Sequence, residues 1–172
     1  IVQDYLDLTR RAAAEGARFI LWPESALPFF FEEDPIAGAA VRQVAVETGT
    51  TLLVGSDQID RTPPARYFNA AFLIDPAGTV AAVYRKVHLV PFGEFLPWGF
   101  DWILQVLSIP MSDFSRGVAD QPPLAVAGQR LAVNICYEDA FGEERIAAAR
   151  AATLLANLSH DAWFGASLAP EQ

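Results

Sequence analysis

The feature that most limits what this chain can fold into is its alternation of helix-period stretches with short apolar runs that stop at proline, glycine or a charged residue. Val2, Tyr5, Leu6, Thr9 and Ala13 recur at helical spacing, and Gly16 suits a left-handed cap. The run from Arg18 to Trp22 ends at Pro23 and reads as a buried strand whose carboxyl end delivers Glu24. Ile36, Ala40 and Val44 share one stripe of a second helix, Ile36 to Thr48, closed by Gly49, and Thr51 to Gly55 is the next strand.

Phe68 to Ile74 and Val80 to Tyr84 flank Asp75-Pro76-Ala77-Gly78, a turn by the chemistry of Pro and Gly, and so form a hairpin. Leu124 to Ala127 and Arg130 to Ile135, joined by Gly128-Gln129, form a second hairpin that leaves Cys136 at a strand end. Glu143 to Ala151 is helical and Thr153 to Asn157 is a last strand. Between the hairpins, Arg85 to Gln121 is a long stretch punctuated by Pro and Gly, with one short helical candidate at Phe100 to Leu107; loops of this length are usually functional. The order α-β-α-β-β-β-loop-β-β-α-β mixes hairpins with helical crossovers and predicts an α/β fold in which helices cover mixed sheets. No repeat, low-complexity tract or linker divides residues 1–172, so one domain is expected.

Composition bounds the function. With 52% hydrophobic residues in 172, the chain has apolar surface enough for a core. Its net charge of −9 repels phosphates and points away from nucleic acid as a partner. One cysteine excludes an intramolecular disulfide, and His88 and His160 lie in no metal-ligand spacing, so neither metal nor cofactor is expected. The chain begins without Met, shows no signal-peptide pattern and no apolar run of membrane-spanning length, and reads as a piece of a longer protein.

Cys136, in Asn134-Ile135-Cys136-Tyr137-Glu138, stands where a strand gives way to polar residues. A lone cysteine there reads equally as a small buried hydrophobe or as a nucleophile. A nucleophilic thiol needs a base or a positive charge beside it. His88 and His160 read as surface or loop-bracing residues, which disfavours a Cys-His pair. A carboxylate and a lysine can do the same work, the one taking the thiol proton and the other stabilising thiolate and oxyanion. Glu24 and Lys86 stand at strand ends; from the residues alone they read more readily as a capping or solvated carboxylate and a surface charge.

The segments Trp22-Pro23-Glu24-Ser25-Ala26, Tyr84-Arg85-Lys86-Val87-His88-Leu89-Val90-Pro91-Phe92-Gly93-Glu94 and Ile135-Cys136-Tyr137-Glu138 resemble, in order, the Glu, Lys and Cys motifs of the nitrilase (carbon-nitrogen hydrolase) superfamily. Leu89 to Pro97 and Asp161 to Ser167 make the chain most similar to its apolipoprotein N-acyltransferase branch. The resemblance implies a nitrilase-like α-β-β-α sandwich, truncated at both ends and lacking the parent protein's transmembrane helices and terminal strands, with exposed pairing edges. It implies Glu24 as general base, Lys86 as oxyanion stabiliser, Cys136 as nucleophile and Glu94 as the carboxylate orienting the lysine, with Tyr137 and Glu138 in support. It further implies a phospholipid acyl donor, a lipidated apolipoprotein acceptor and the bacterial inner membrane, with the catalytic domain on the periplasmic side. Trp98, Phe100 and Trp102 are the lipid-facing candidates. His160 stands where the branch commonly has asparagine. A soluble carbon-nitrogen hydrolase using the same three residues is the alternative.

Overall fold

The structure, a computed structural model, describes residues 1–95 and 113–160. Helix α1 (Val2–Ala14) ends as its glycine predicts. Gly16 takes φ +100°, its N–H reaches Ala13 O and that of Ala17 reaches Ala12 O, so the last turn's carbonyls are satisfied. Helix α2 (Pro35–Thr48) begins one residue earlier than the apolar stripe indicates. Asp34 caps it by accepting from the N–H groups of Ile36 and Ala37, and Pro35 occupies a first-turn position where no N–H is needed.

Two sheets form. In the first, β1 (Phe19–Leu21), β3 (Thr51–Asp60), β4 (Arg66–Ile74) and β5 (Val80–Arg85) lie in that order, and β2 (Leu27–Phe30) also pairs with β3. The β1 and β2 pairings are parallel and the β3-β4-β5 meander is antiparallel. The second sheet has the order β6 (Leu124–Val126), β7 (Gln129–Ile135), β8 (Leu154–Leu158), with β7 parallel to β8. A 3-10 turn (Cys136–Phe141) and helix α3 (Gly142–Ala151) connect β7 to β8. Mixed sheets with helical crossovers are the α/β architecture the residue pattern predicts.

Period-two alternation sorts the core into two layers. Leu52, Val54, Ala70, Phe72 and Ile74 point outward beneath Leu6 of α1 and Val41, Val44 and Ala45 of α2. Leu53, Ala71, Leu73 and Tyr84 point inward against Leu131, Val133 and Ile135 of the second sheet. Leu21 on β1 and Leu155 on β8 remain exposed on outer strands.

The differences from the sequence reading have local causes. Strand β2 was not anticipated, because Pro28 and the Phe29-Phe30-Phe31 run show no alternation. Strand β3 continues five residues beyond Gly55, through Ser56-Asp57-Gln58, where polar residues hide the strand pattern. The second hairpin turns at Ala127-Gly128, not Gly128-Gln129. Val126 pairs with Gln129, and both turn residues have positive φ, the two-residue geometry that matches strand twist. The helical candidate Phe100 to Leu107 lies outside the described residues.

Candidate active site

Glu24 reaches the space between the sheets because β3 carries glycine where the chain crosses it. A Cβ on Gly55 would stand 2.2 Å from the Pro23 carbonyl oxygen and 2.8 Å from the Glu24 Cα. Only a residue without a side chain lets the Pro23-Glu24 backbone lie against the inner face of the sheet. Ser25, which follows, has φ +48° and turns the chain into β2.

Lys86 is the residue after β5, and its N–H continues the ladder to Asn69 O at 2.8 Å. Asp57 pairs with Asn69 across β3 and β4. The three therefore form a transverse row, Asp57, Asn69, Lys86, on the inner face. Lys86 is 1% exposed, and its Nζ lies 3.1 Å from Glu24 Oε1 and 2.9 Å from the Glu94 carboxylate. Asn69 Nδ2 donates to Glu24 Oε1 and to Glu94 Oε1, each at 2.8 Å, and the Val90 N–H holds the other Glu94 oxygen at 2.8 Å. Burial alone would lower the Lys86 pKa, but the charges of Glu24 and Glu94 outweigh it and hold the ammonium above its ordinary value.

Cys136 follows β7 directly and is half-buried, with φ +51°. For a non-glycine residue that backbone is strained by roughly 1–3 kcal/mol, a cost met most often at functional positions. Glu24 and Ser159 both act on the thiol, Glu24 raising its pKa and Ser159 lowering it. Burial and then the Glu24 charge push its pKa up, partly offset by Lys86, so the resting sulfur is a thiol poised beside a carboxylate.

Glu138 is fully buried and joins the two sheets. Its carboxylate accepts from Tyr84 Oη at 2.9 Å, from the Val87 and His88 N–H groups at 2.8 and 3.2 Å, and from the Ile135 N–H at 2.8 Å. One side chain thus fixes the segment after Lys86 against the residue before Cys136. His88 braces this region by stacking on Phe141 at 4.2 Å, and Tyr137 meets the same ring edge-on. Among the described residues no group of three or more His, Cys, Asp and Glu could hold a metal ion.

Of the sequence-derived candidates, Glu24, Lys86, Glu94 and Cys136 lie in one cluster, Glu138 anchors it from behind, and Tyr137 flanks it. Trp98, Phe100, Trp102 and the Asp161 to Ser167 signature lie outside the described residues. Sequence reasoning missed Asn69 and Asp57. Their signal was a polar residue inside the apolar run Phe68 to Ile74, and the polar break after Gly55.

The chain belongs to the carbon-nitrogen hydrolase family, which it matches over residues 1–172. Within that family, it is 43% identical over 169 residues to the apolipoprotein N-acyltransferase of Ralstonia nicotianae, covering 95% of this chain and 32% of that protein. It is 44% identical over 174 residues to the apolipoprotein N-acyltransferase of Nitrosomonas europaea, covering 99% and 34%. The chain spans about a third of the length of the curated relatives it matches. Among solved structures, it is similar to an amidase from Nesterenkonia sp. bearing covalent addition of the acetamide moiety of fluoroacetamide at its active-site cysteine. The TM-score is 0.64 at 26% identity, over 96% of this chain and 62% of that one.

Proposed function

We propose that these residues are the catalytic region of an apolipoprotein N-acyltransferase, in which Cys136 carries an acyl chain as a thioester between a phospholipid and the α-amine of a lipidated lipoprotein. The observation that carries the reading is a single carboxylate, Glu24, which pairs with the Lys86 ammonium at 3.1 Å and lies near enough to the Cys136 thiol to raise its pKa. The similarity to acyltransferases along nearly the whole chain supports these substrates.

In the first half-reaction Glu24 takes the thiol proton as sulfur attacks the ester carbonyl carbon. The negative charge that develops on the carbonyl oxygen is met by Lys86, whose ammonium has three N–H bonds, and by the backbone N–H of Tyr137. Collapse breaks the C–O bond, and protonated Glu24 returns its proton to the departing lyso-phospholipid oxygen. In the second half-reaction the acceptor nitrogen attacks the thioester, Glu24 takes a proton from it, and the C–S bond breaks as that proton returns to sulfur. Glu94 keeps Lys86 aimed, and Glu138 keeps the lysine and cysteine segments in register.

These substrates reside in a bilayer, and the reading places the protein at the bacterial inner membrane with this domain on the periplasmic or extracytoplasmic side. Among the described residues no helix is long and apolar enough to cross a membrane. Trp98, Phe100 and Trp102 are the candidates for lipid contact. The second reading, a carbon-nitrogen hydrolase that hands the same thioester to water, is favoured by the likeness to the Nesterenkonia amidase.

Incubating the full-length protein with a phospholipid labelled in its acyl chain tests the proposal. A hydroxylamine-sensitive acyl adduct on Cys136, discharged onto a lipidated peptide amine, is expected. A folded protein that forms no adduct refutes it, and discharge to water alone selects the hydrolase.

A further inference from the structure

Proton balance in the second half-reaction exposes a task that Glu24 does not perform. An α-amine with a pKa of about 7.7–8.0 arrives mainly as an ammonium ion at neutral pH. The overall step is thioester plus R–NH3⁺ giving amide, thiol and H⁺. Glu24 starts that step unprotonated, takes one proton from nitrogen as the C–N bond forms, and returns it to sulfur; it ends as it began. The first proton, which must leave before nitrogen has a lone pair to attack with, needs a second acceptor.

The other carboxylates at the site are already engaged. Glu94 accepts from Lys86, Asn69 and the Val90 N–H, and Glu138 is fully buried with four donors around it. Asp57 differs. It stands in the transverse row beside Asn69, and its carboxylate makes no hydrogen bond among the described residues. It lines a cavity of about 200 Å³ with Phe30, Tyr67, Asp113 and Phe114. Aromatic walls and carboxylates suit a cation. The single buried side-chain polar atom without a partner among the described residues is Asn69 Oδ1, on the residue directly opposite. Cross-strand neighbours have Cβ atoms about 4.5–5.5 Å apart, within reach of an O–H on one short side chain for an acceptor on the other.

Accordingly, and resting on the amine-acceptor reading above, we propose that the cavity beside Asp57 receives the acceptor's ammonium group and that Asp57 removes its first proton. R–NH3⁺ and the Asp57 carboxylate become R–NH2 and the carboxylic acid, whose O–H then finds Asn69 Oδ1 before passing the proton to solvent. The groups facing Asp57 are Glu24, Glu94, Asp113, Tyr67 and, across the row, Lys86. Burial first, then the charges of Glu94 and Glu24, push its pKa to about 6, high enough to hold a proton briefly and low enough to release it at neutral pH.

The test uses Asp57→Asn in the full-length protein and follows the two half-reactions separately. Thioester formation from phospholipid is measured first, so that any change there is divided out of the transfer rates. At pH 7 the variant draws only on the neutral fraction of acceptor, so transfer to a lipidated peptide amine should fall about tenfold. Transfer to methoxyamine, which is unprotonated at that pH, should be unchanged. Equal losses for the two acceptors, or none, overturn the proposal. Absence of a wild-type thioester overturns the acyltransferase reading and this inference with it. The wild-type enzyme supplies a second measurement that needs no variant. Its kcat/KM for the peptide amine should rise with the titration of Asp57 near pH 6. A rise that instead follows the amine's own titration overturns the proposal.

Discussion

Replacing Gly55 by alanine tests whether the site depends on the crossing of two backbones. The added Cβ would lie 2.2 Å from Pro23 O, 2.9 Å from Pro23 C and 2.8 Å from Glu24 Cα, all backbone atoms that no rotamer change can move aside. The Pro23-Glu24 segment must lift from β3 by about 1 Å, and a misplacement of that size is worth about 10²-fold in rate. Glu24 Oε1 now sits 3.1 Å from Lys86 Nζ and 2.8 Å from Asn69 Nδ2, so the same movement carries it out of hydrogen-bonding range of both. Overpacking of this kind costs about 1–3 kcal/mol of stability, small enough for the variant to fold. The assay is the single-turnover rate of acyl-thioester formation on Cys136, alongside the denaturant midpoint of the same preparation. Gly142→Ala is the control, because its added Cβ meets nothing within 4 Å and its φ is −52°. A Gly55→Ala protein that loses stability but forms the thioester at the wild-type rate would show that the position of Glu24 does not matter, and the reasoning would fail.

Glu138→Gln leaves one acceptor oxygen for four donors, so an amide NH2 faces either the Ile135 N–H or those of Val87 and His88. Chemical denaturation should show a loss of about 2–5 kcal/mol, and a loss below about 1 kcal/mol would contradict the role given to this side chain. Asp57→Asn should act in the opposite direction on stability. The folded protein raises the Asp57 pKa to about 6, so the stabilising effect of its protonated form is complete below the ordinary carboxylate pKa and is lost as pH rises through 6. The variant should therefore match the wild type at pH 4 and exceed it by about 2 kcal/mol at pH 8, after allowance for partial exposure. Melting curves that differ equally at both pH values would refute this.

Most of the framework is legible because burial imposes a period. Leu52 and Val54 against Leu53, or Val133 and Ile135 ahead of Cys136, announce strands by their alternation, and Gly16 and Gly49 announce helix ends by the conformation only glycine takes easily. The pattern failed where polar residues interrupt the apolar runs. Ser56, Asp57 and Gln58 conceal the second half of β3, and Asn69 sits in β4 as a polar side chain whose two bonds go to carboxylates from distant loops. Glu24, Lys86 and Cys136 were found through motif resemblance, since nothing local tells a strand-end carboxylate from a cap. Their convergence depends on residue pairs such as Lys86 and Glu24, 62 positions apart. The raised pKa of Asp57 is not legible in the sequence, because it comes from burial and from two carboxylates that only the fold brings near.

Glu138 also governs how the sandwich can move. It ties the segment after β5 to the last residue of β7, so the two sheets cannot slip past each other there without stranding several buried backbone donors. That point acts as a pivot. Among the described residues, the outer strands carrying the exposed Leu21 and Leu155 have no such buried tie in common with it. The lysine and cysteine segments are therefore held together by one buried carboxylate, whatever the outer strands do.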